Sequence, residues 1–247
     1  MIHYHGTPLT PSADMAKAFS GRHAFVSYAH AQQLEVALEV CQSVALDNGA
    51  FSAWRSGESY DFAGFAEWAA RWVRHPCVDW CVIPDVIDGS EADNDALLAD
   101  WSLDKSVSVP VYHMHESIDR LCRLAADYPR VALGSSGEYA TVGTQAWWER
   151  MGEMLDAVCD AEGVPLVKLH GLRMLDPEVF SKLPLASADS TNVARNVGID
   201  SAWRGTYQPN SRAMRALILM ERIEAMNAAS RWCRQSIGLF NNHRLFA

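Results

Sequence analysis

The sequence lacks any uninterrupted run of about 18 apolar residues, the length a helix needs to cross a bilayer, so no membrane span is expected. No secretory signal pattern opens it. Six cysteines are present (Cys41, Cys77, Cys81, Cys122, Cys159 and Cys233), yet none forms a Cys-x2-Cys pair. Cys77 and Cys81 are four apart, with no nearby His–Cys partner to complete a zinc set. Reduced thiols of a cytoplasmic protein are therefore expected. No Gly-x-Gly-x-x-Gly follows the first strand-like run, which weighs against a dinucleotide-binding fold. Positive charge is short as well: the net charge is −9. That balance excludes a broadly basic nucleic-acid coat and leaves room only for a local basic groove. Internal repeats, low-complexity segments and linkers are also missing.

What is present is a regular alternation in a chain of 247 residues, of which 49% are apolar. Short apolar, β-branched or aromatic runs occur at Ile2–His5, Ala24–Tyr28, Ser43–Leu46, Trp80–Pro84, Val109–His113, Arg130–Leu133, Leu166–His170 and Leu185–Ala188. Near-continuous apolar character suits strands buried on both faces of a parallel sheet. Helical patterns separate them: Ser12–Phe19, Gln32–Cys41, Phe62–Arg74, Asp93–Leu103, Ser117–Asp127, Thr144–Ala161, Pro177–Leu183 and a long final one over Ser211–Arg234. Ser12 and Ser117 stand where N-caps belong. Eight strand–helix units in this length predict a single α/β domain over residues 1–247, a (β/α)8 TIM barrel. The rival is an open doubly wound sheet. Of the nine Trp, most lie beside helical patterns, where packing is the default explanation.

The C-terminal fifth is basic on an acidic body. Arg195, Arg204, Arg212, Arg215, Arg222, Arg231, Arg234 and Arg244 outnumber Asp200, Glu221 and Glu224. Residues 197–247 are expected to form a basic helical extension packed on the barrel. Its arginines suit either phosphate contacts or a solvated helix face.

Reactive groups in such barrels stand at the C-terminal ends of the strands. There the sequence offers His5, His30, Asp47-Asn48-Gly49, Asp85, His113 and His115, Gly134 to Glu138, His170-Gly171 and Asp189. A carboxylate directly after an apolar strand is desolvated unless something pairs with it. One alone is explained by a loop cap or a salt bridge; Asp47, Asp85 and Asp189 together point to one shared mouth. His5, His113, His115 and His170 allow a metal site, or hydrogen bonds to substrate or core. Gly49, Gly134 and Gly137 suit either a left-handed turn or close backbone approach to a flat ligand.

These strand-end motifs, in their order, resemble those of the queuine/archaeosine tRNA-guanine transglycosylases, and more closely the short phage-type DNA 7-deazaguanine transglycosylases. Residues 169–180 (LHGLRMLDPEVF) through Ala188-Asp189-Ser190 resemble the family's glycine, Pro-Glu helix and terminal Phe-Asp-Ser pattern. Residues 192–196 (NVARN) resemble the Arg-containing turn beyond the nucleophile. Residues 46–51 (LDNGAF) resemble Asp-Ser-Gly-Gly-Phe, Ile83-Pro84-Asp85 resembles the strand-end Asp that binds the base, and residues 132–138 (ALGSSGE) resemble the Gly-Gly…Gly-Glu loop. Departures accompany the likeness: the family's zinc cysteines are absent, residues 111–116 (VYHMHE) replace its Val-Gln-Gly, and no additional RNA-binding domain fits in the length.

The resemblance implies exchange of guanine in a nucleic acid for a free 7-deazaguanine, such as 7-cyano-7-deazaguanine or a relative, through a covalent sugar–aspartate intermediate. The departures turn the expected nucleic acid from tRNA to DNA. Carried over, Asp189 becomes the nucleophile and Asp47 the group that moves protons on the bases. Asp85 becomes the reader of the base's N–H edge, with His113 in place of the usual Gln. Gly134, Ser135 and Glu138, together with Asn48, Gly49, Phe51 and His170, complete the expected substrate contacts. Tyr60, Trp54 or Tyr139 would stack on an unstacked nucleotide, unless each is simply core. Arg195, Arg204, Arg212 and Arg215 would meet phosphates. No cofactor or metal is implied. The location would be the cytoplasm, that of the host cell if a phage or prophage encodes the chain. An accessory protein or a homodimer would fit the weak basic charge. The alternatives are exchange on tRNA, an N-glycoside hydrolase using the same carboxylates, metal-dependent hydrolysis, and a non-catalytic barrel that binds a deazapurine or nucleic acid.

Overall fold

A computed structural model describes residues 1–57, 59–199, 203 and 206–233. Its strands are β1 (Ile2–Gly6), β2 (His23–Ser27), β3 (Ser43–Asp47), β4 (Val78–Val82), β5 (Ser108–Val109), β6 (Val111–His113), β7 (Arg130–Gly134), β8 (Lys168–Gly171) and β9 (Ser187–Ser190). Every pairing is parallel, in the order β5-β4-β3-β2-β1-β9-β8-β7-β6. The two ends of that ladder are one stretch of chain broken only at Pro110, which has no N–H to donate. Val109 O accepts from Ile83 N at 2.9 Å and Pro110 O from Ala132 N at 2.9 Å, so this stretch bonds to β4 on one side and β7 on the other. The sheet thereby closes into a TIM-like (β/α)8 barrel, and the open-sheet alternative falls. The expected strand runs match within two residues at each end.

Helices α1 (Ser12–Phe19), α2 (Leu34–Val40), α3 (Ala50–Ser56), α4 (Phe62–Trp72), α5 (Glu91–Asp100), α6 (Ile118–Asp127), α7 (Gln145–Val158), α8 (Pro177–Phe180), α9 (Asn192–Asn196) and α10 (Arg212–Glu224) follow their strands. Alternate strand residues, such as Ala24, Val26, Val44, Leu46, Val131 and Leu133, pack outward against them. The opposite set, Tyr4, Phe25, Ala45, Trp80, Val82, Val109, Val111 and Ala132, fills the barrel interior. α10 lies against α1 and completes the helical ring.

Ser117 caps α6, accepting from Arg120 N at 3.2 Å. Ser12 does not cap α1: it is the first helical residue, and Pro11 stands at the cap without a side-chain bond. The final helix stops at Glu224, short of the expected Arg234. The backbone beyond it bonds elsewhere: Ala229 N donates to Leu183 O at 3.1 Å and Trp232 N to Gly163 O at 2.7 Å. Those N–H groups are then lost to a continuing helix. Two short helices, α3 and α9, stand where no helical pattern was expected, α9 over the expected Arg-containing turn. All six cysteines are free. Among the described residues no helix is long and apolar enough to cross a membrane.

Candidate active site

A cavity of about 430 Å3 opens at the C-terminal end of the barrel, within the range of small-ligand sites. Strand parity and register build it. Asp47 ends β3 beside Ser27 of β2, His113 ends β6 beside Gly134 of β7, and Asp189 of β9 pairs with Tyr4 of β1. All are interior positions, so their side chains converge on the axis. Asp47, Asp85 and Asp189 all line the cavity, with Asn48, Phe51, His113, Gly134, Ser135 and Arg195.

The three carboxyls have different surroundings. Asp47 is half-buried among neighbours of its own sign. Burial, followed by the charges of Asp189 and Asp85, pushes its pKa up to about 7, against the pull of the Ser27 hydroxyl and the Gly49 amide. Asp189 is supplied with donors. Its Oδ1 accepts from Arg173 N at 3.0 Å and faces His170 Nε2 at 3.3 Å. Asp85 Oδ1 accepts from Asn48 Nδ2 at 2.6 Å. His113 Nε2 stands 2.9 Å from Asp85 Oδ2, at an angle outside hydrogen-bond geometry. The Asp85 and His113 edges thus meet at the wall with His113 Nε2 lacking an aligned partner.

Other expected contacts lie elsewhere. Gly49 (φ +83°) starts α3 behind the wall, where an added Cβ would come within 3.2 Å of Ala29 N. Glu138 is exposed on the turn Gly137–Tyr139, outside the cavity lining. His170 lies fully buried below the cavity, among the rings of Tyr4, Phe25 and Trp80. Ser135 Oγ is occupied by Trp147 Nε1 at 2.9 Å, which leaves its backbone for a ligand. Of the aromatic candidates, Tyr60 donates to Asn48 O at 2.8 Å, Trp54 bonds Asp88 on the rim, and Tyr139 lies under Arg150. Only Phe51 of the expected aromatics lines the cavity.

Arg195 projects from α9 at the mouth, whereas Arg212 and Arg215 on α10 are not part of the lining. Arg204 lies outside the described residues. The four histidines do not gather: His5 turns outward to Glu224 at 2.8 Å, and His115 bonds Ser136 and Gly89. Among the described residues no three His, Cys, Asp or Glu are set to hold a metal ion.

Arg173 escaped the sequence reading. It takes a left-handed φ of +60°, stacks its guanidinium 4.1 Å from the Phe51 ring and enters the cavity wall. Arg55, also in the lining, and Arg195 are near enough to depress the Arg173 pKa, an effect secondary to burial. Arg173 stands three residues past the strand-end His170 and could have been found by following that loop. The mouth is therefore acidic at its floor and cationic on one flank. Compared with known proteins, the chain matches no family model, no curated protein and no solved structure.

Proposed function

We propose that this barrel exchanges guanine in DNA for a free 7-deazaguanine. The observation that carries the reading is the division between Asp47 and Asp189 in one cavity. A carboxyl with pKa about 7 is half protonated at neutral pH, whereas Asp189 accepts the Arg173 N–H and faces His170 Nε2 through the same oxygen, so the two carboxyls stand in different surroundings. Such a pair is what base exchange needs.

In the first step Asp189 attacks the sugar C1′, the glycosidic bond breaks, and its electrons leave on the guanine nitrogen, which takes the proton from Asp47. In the second, Asp47 removes the N9 proton of the entering 7-deazaguanine. That nitrogen attacks C1′ and expels Asp189. Protons and charge balance, and no water is consumed. Asp85, steadied by Asn48, would accept from the N–H edge of either base. The Arg55, Arg173 and Arg195 flank would meet phosphates of an unstacked nucleotide.

The test incubates the full chain with guanine-containing DNA or tRNA and a radiolabelled 7-deazaguanine. Label in DNA that disappears in Asp189→Ala supports the reading. Label in tRNA alone moves the substrate to RNA. Release of guanine without label makes the protein a hydrolase. No reaction in any arm, with Asp189→Ala indistinguishable from the parent, removes the catalytic assignment.

A further inference from the structure

Asp189, His170, Ser187 and Arg130 form one hydrogen-bonded file through the barrel interior. Arg130 begins β7 at the N-terminal end, where it lines a second cavity of about 220 Å3. Its Nη1 donates to Ser187 Oγ at 2.8 Å. Ser187 Oγ lies 2.9 Å from His170 Nδ1, and His170 Nε2 lies 3.3 Å from Asp189 Oδ1 at the opposite cavity. Ser187 and His170 are fully buried, and the Tyr4, Phe25 and Trp80 rings enclose the imidazole at 6.0, 5.4 and 4.8 Å.

The donors in this file all point one way. Guanidinium has no acceptor, so Arg130 can only donate to Ser187. The Ser187 hydroxyl proton is then free for His170 Nδ1, and the imidazole proton belongs on Nε2, facing Asp189. The reverse tautomer would set a bare Nε2 lone pair against a carboxylate oxygen. Burial lowers the His170 pKa in spite of Asp189, which favours the neutral ring. With Arg173 N and His170 Nε2 both on Oδ1, and no bond to Oδ2 among the described residues, Oδ2 is the oxygen left to the cavity.

We infer that His170, oriented by Ser187 and Arg130, is a positioning residue that holds Asp189 with Oδ2 presented to the ligand cavity. His170 is thus removed from the substrate contacts expected of it. The effect on catalysis rests on the exchange reading above; the tautomer does not.

The deciding measurement is histidine-selective 15N NMR of the full chain at pH 7, with the His170 signal identified by its loss in His170→Gln. A neutral ring protonated on Nε2 is expected. A proton on Nδ1, or an imidazolium, overturns the inference whether or not any substrate turns over. Kinetics supply the second arm. His170→Leu should lower kcat about 10- to 100-fold with KM for the free base within twofold, because a displaced carboxylate loses alignment rather than affinity. His170→Gln, whose amide N–H can replace Nε2–H, should recover most of that loss. Arg130→Met, at the far end of the file, should lower kcat several-fold and leave KM alone. A raised KM with unchanged kcat, or no recovery by Gln in a protein of parental Tm, would overturn the positioning role. If the parent exchanges no base at all, the exchange reading fails while the NMR result still decides the tautomer.

Discussion

Asn48 donates to Asp85 Oδ1 at 2.6 Å and, through the same amide nitrogen, to Ile83 O at 2.8 Å, while its Oδ1 accepts from Ala50 N at 2.8 Å. One buried side chain thus ties the end of β3 to the chain beyond β4 and starts α3. Asn48→Ala should cost about 2–3 kcal/mol through unpaired buried groups. For a chain of this size that lowers Tm by roughly 5–10 °C. On the exchange reading it should also weaken 7-deazaguanine binding, since Asp85 loses its anchor. Thermal unfolding and calorimetry of the free base check both. A parental Tm would mean that Asp85 is held by something else.

Asp47 makes stability and activity depend on pH in a stated direction. Its folded pKa of about 7 lies above the ordinary 3.8. Between those values the unfolded chain gives up its proton while the folded chain keeps it, so folding becomes less favourable as pH rises from about 4 to about 7. Asp47→Asn stays neutral throughout. The variant should therefore gain stability relative to the parent across that window, by on the order of 2–4 kcal/mol at pH 8, with little difference at pH 3.5. On the exchange reading proposed above, activity in the parent should fall as pH rises past about 7, because Asp47 would no longer carry the proton for the leaving base. Urea unfolding at several pH values measures the first effect, and a kcat/KM profile the second. A flat stability difference would place the Asp47 pKa near its ordinary value.

The barrel was legible because parallel strands buried on both faces leave short apolar runs that are hard to confuse with helices. The carboxyls were legible because each directly follows such a run. Depth was not legible. His170 and Asp189 are each the third residue of their strands, yet the imidazole ends among the interior rings while the carboxyl reaches the cavity. Strand register decides that: His170 pairs with Ser187, two residues below Asp189, and the stagger between neighbouring strands is not written in spacing. Helix α3 was missed because it is short and bracketed by two left-handed glycines, Gly49 and Gly57, of which Gly49 alone was singled out, for a turn or a close backbone approach. The end of the last helix was missed because tertiary bonds to Leu183 and Gly163 override a helical pattern that continues.

Arg173 combines a strained backbone with an unusually placed charge. Arg173→Gly relieves the left-handed strain and frees the unfolded chain by comparable amounts, so Tm should move by less than about 4 °C. On the exchange reading, affinity for DNA should nevertheless fall, and the slope of log K against log salt should shrink by about one unit if the guanidinium meets one phosphate. Arg212→Ala, outside the cavity, should leave binding of a short oligonucleotide at the mouth nearly unchanged. Fluorescence anisotropy over a salt series compares the two. An unaltered salt slope in Arg173→Gly would remove this arginine from the phosphate flank.

Glu116 supports the same wall from behind. It is fully buried, and its Oε2 accepts from His113 N at 2.8 Å and from Arg120 Nη1 at 2.7 Å, while Oε1 accepts from Asn94 Nδ2 at 3.0 Å. Arg120 is buried too, and its Nη1 also holds Val111 O at 2.9 Å. Glu116→Ala leaves a buried guanidinium short of its counter-charge, although Asp95 remains on Nε at 2.8 Å. A loss of about 3–5 kcal/mol is expected. Glu116→Gln keeps an acceptor but also aims an amide N–H at existing donors, so it should lose nearly as much. The double change Glu116→Leu with Arg120→Met removes both charges and should recover part of the stability, because no unpaired charge remains. His113 would still lose the acceptor for its N–H, so recovery of fold without recovery of base affinity is the expected pattern. Chemical unfolding and base titration on the same samples separate the two effects. Full recovery of both would show that Glu116 serves packing alone and takes no part in setting the His113 edge.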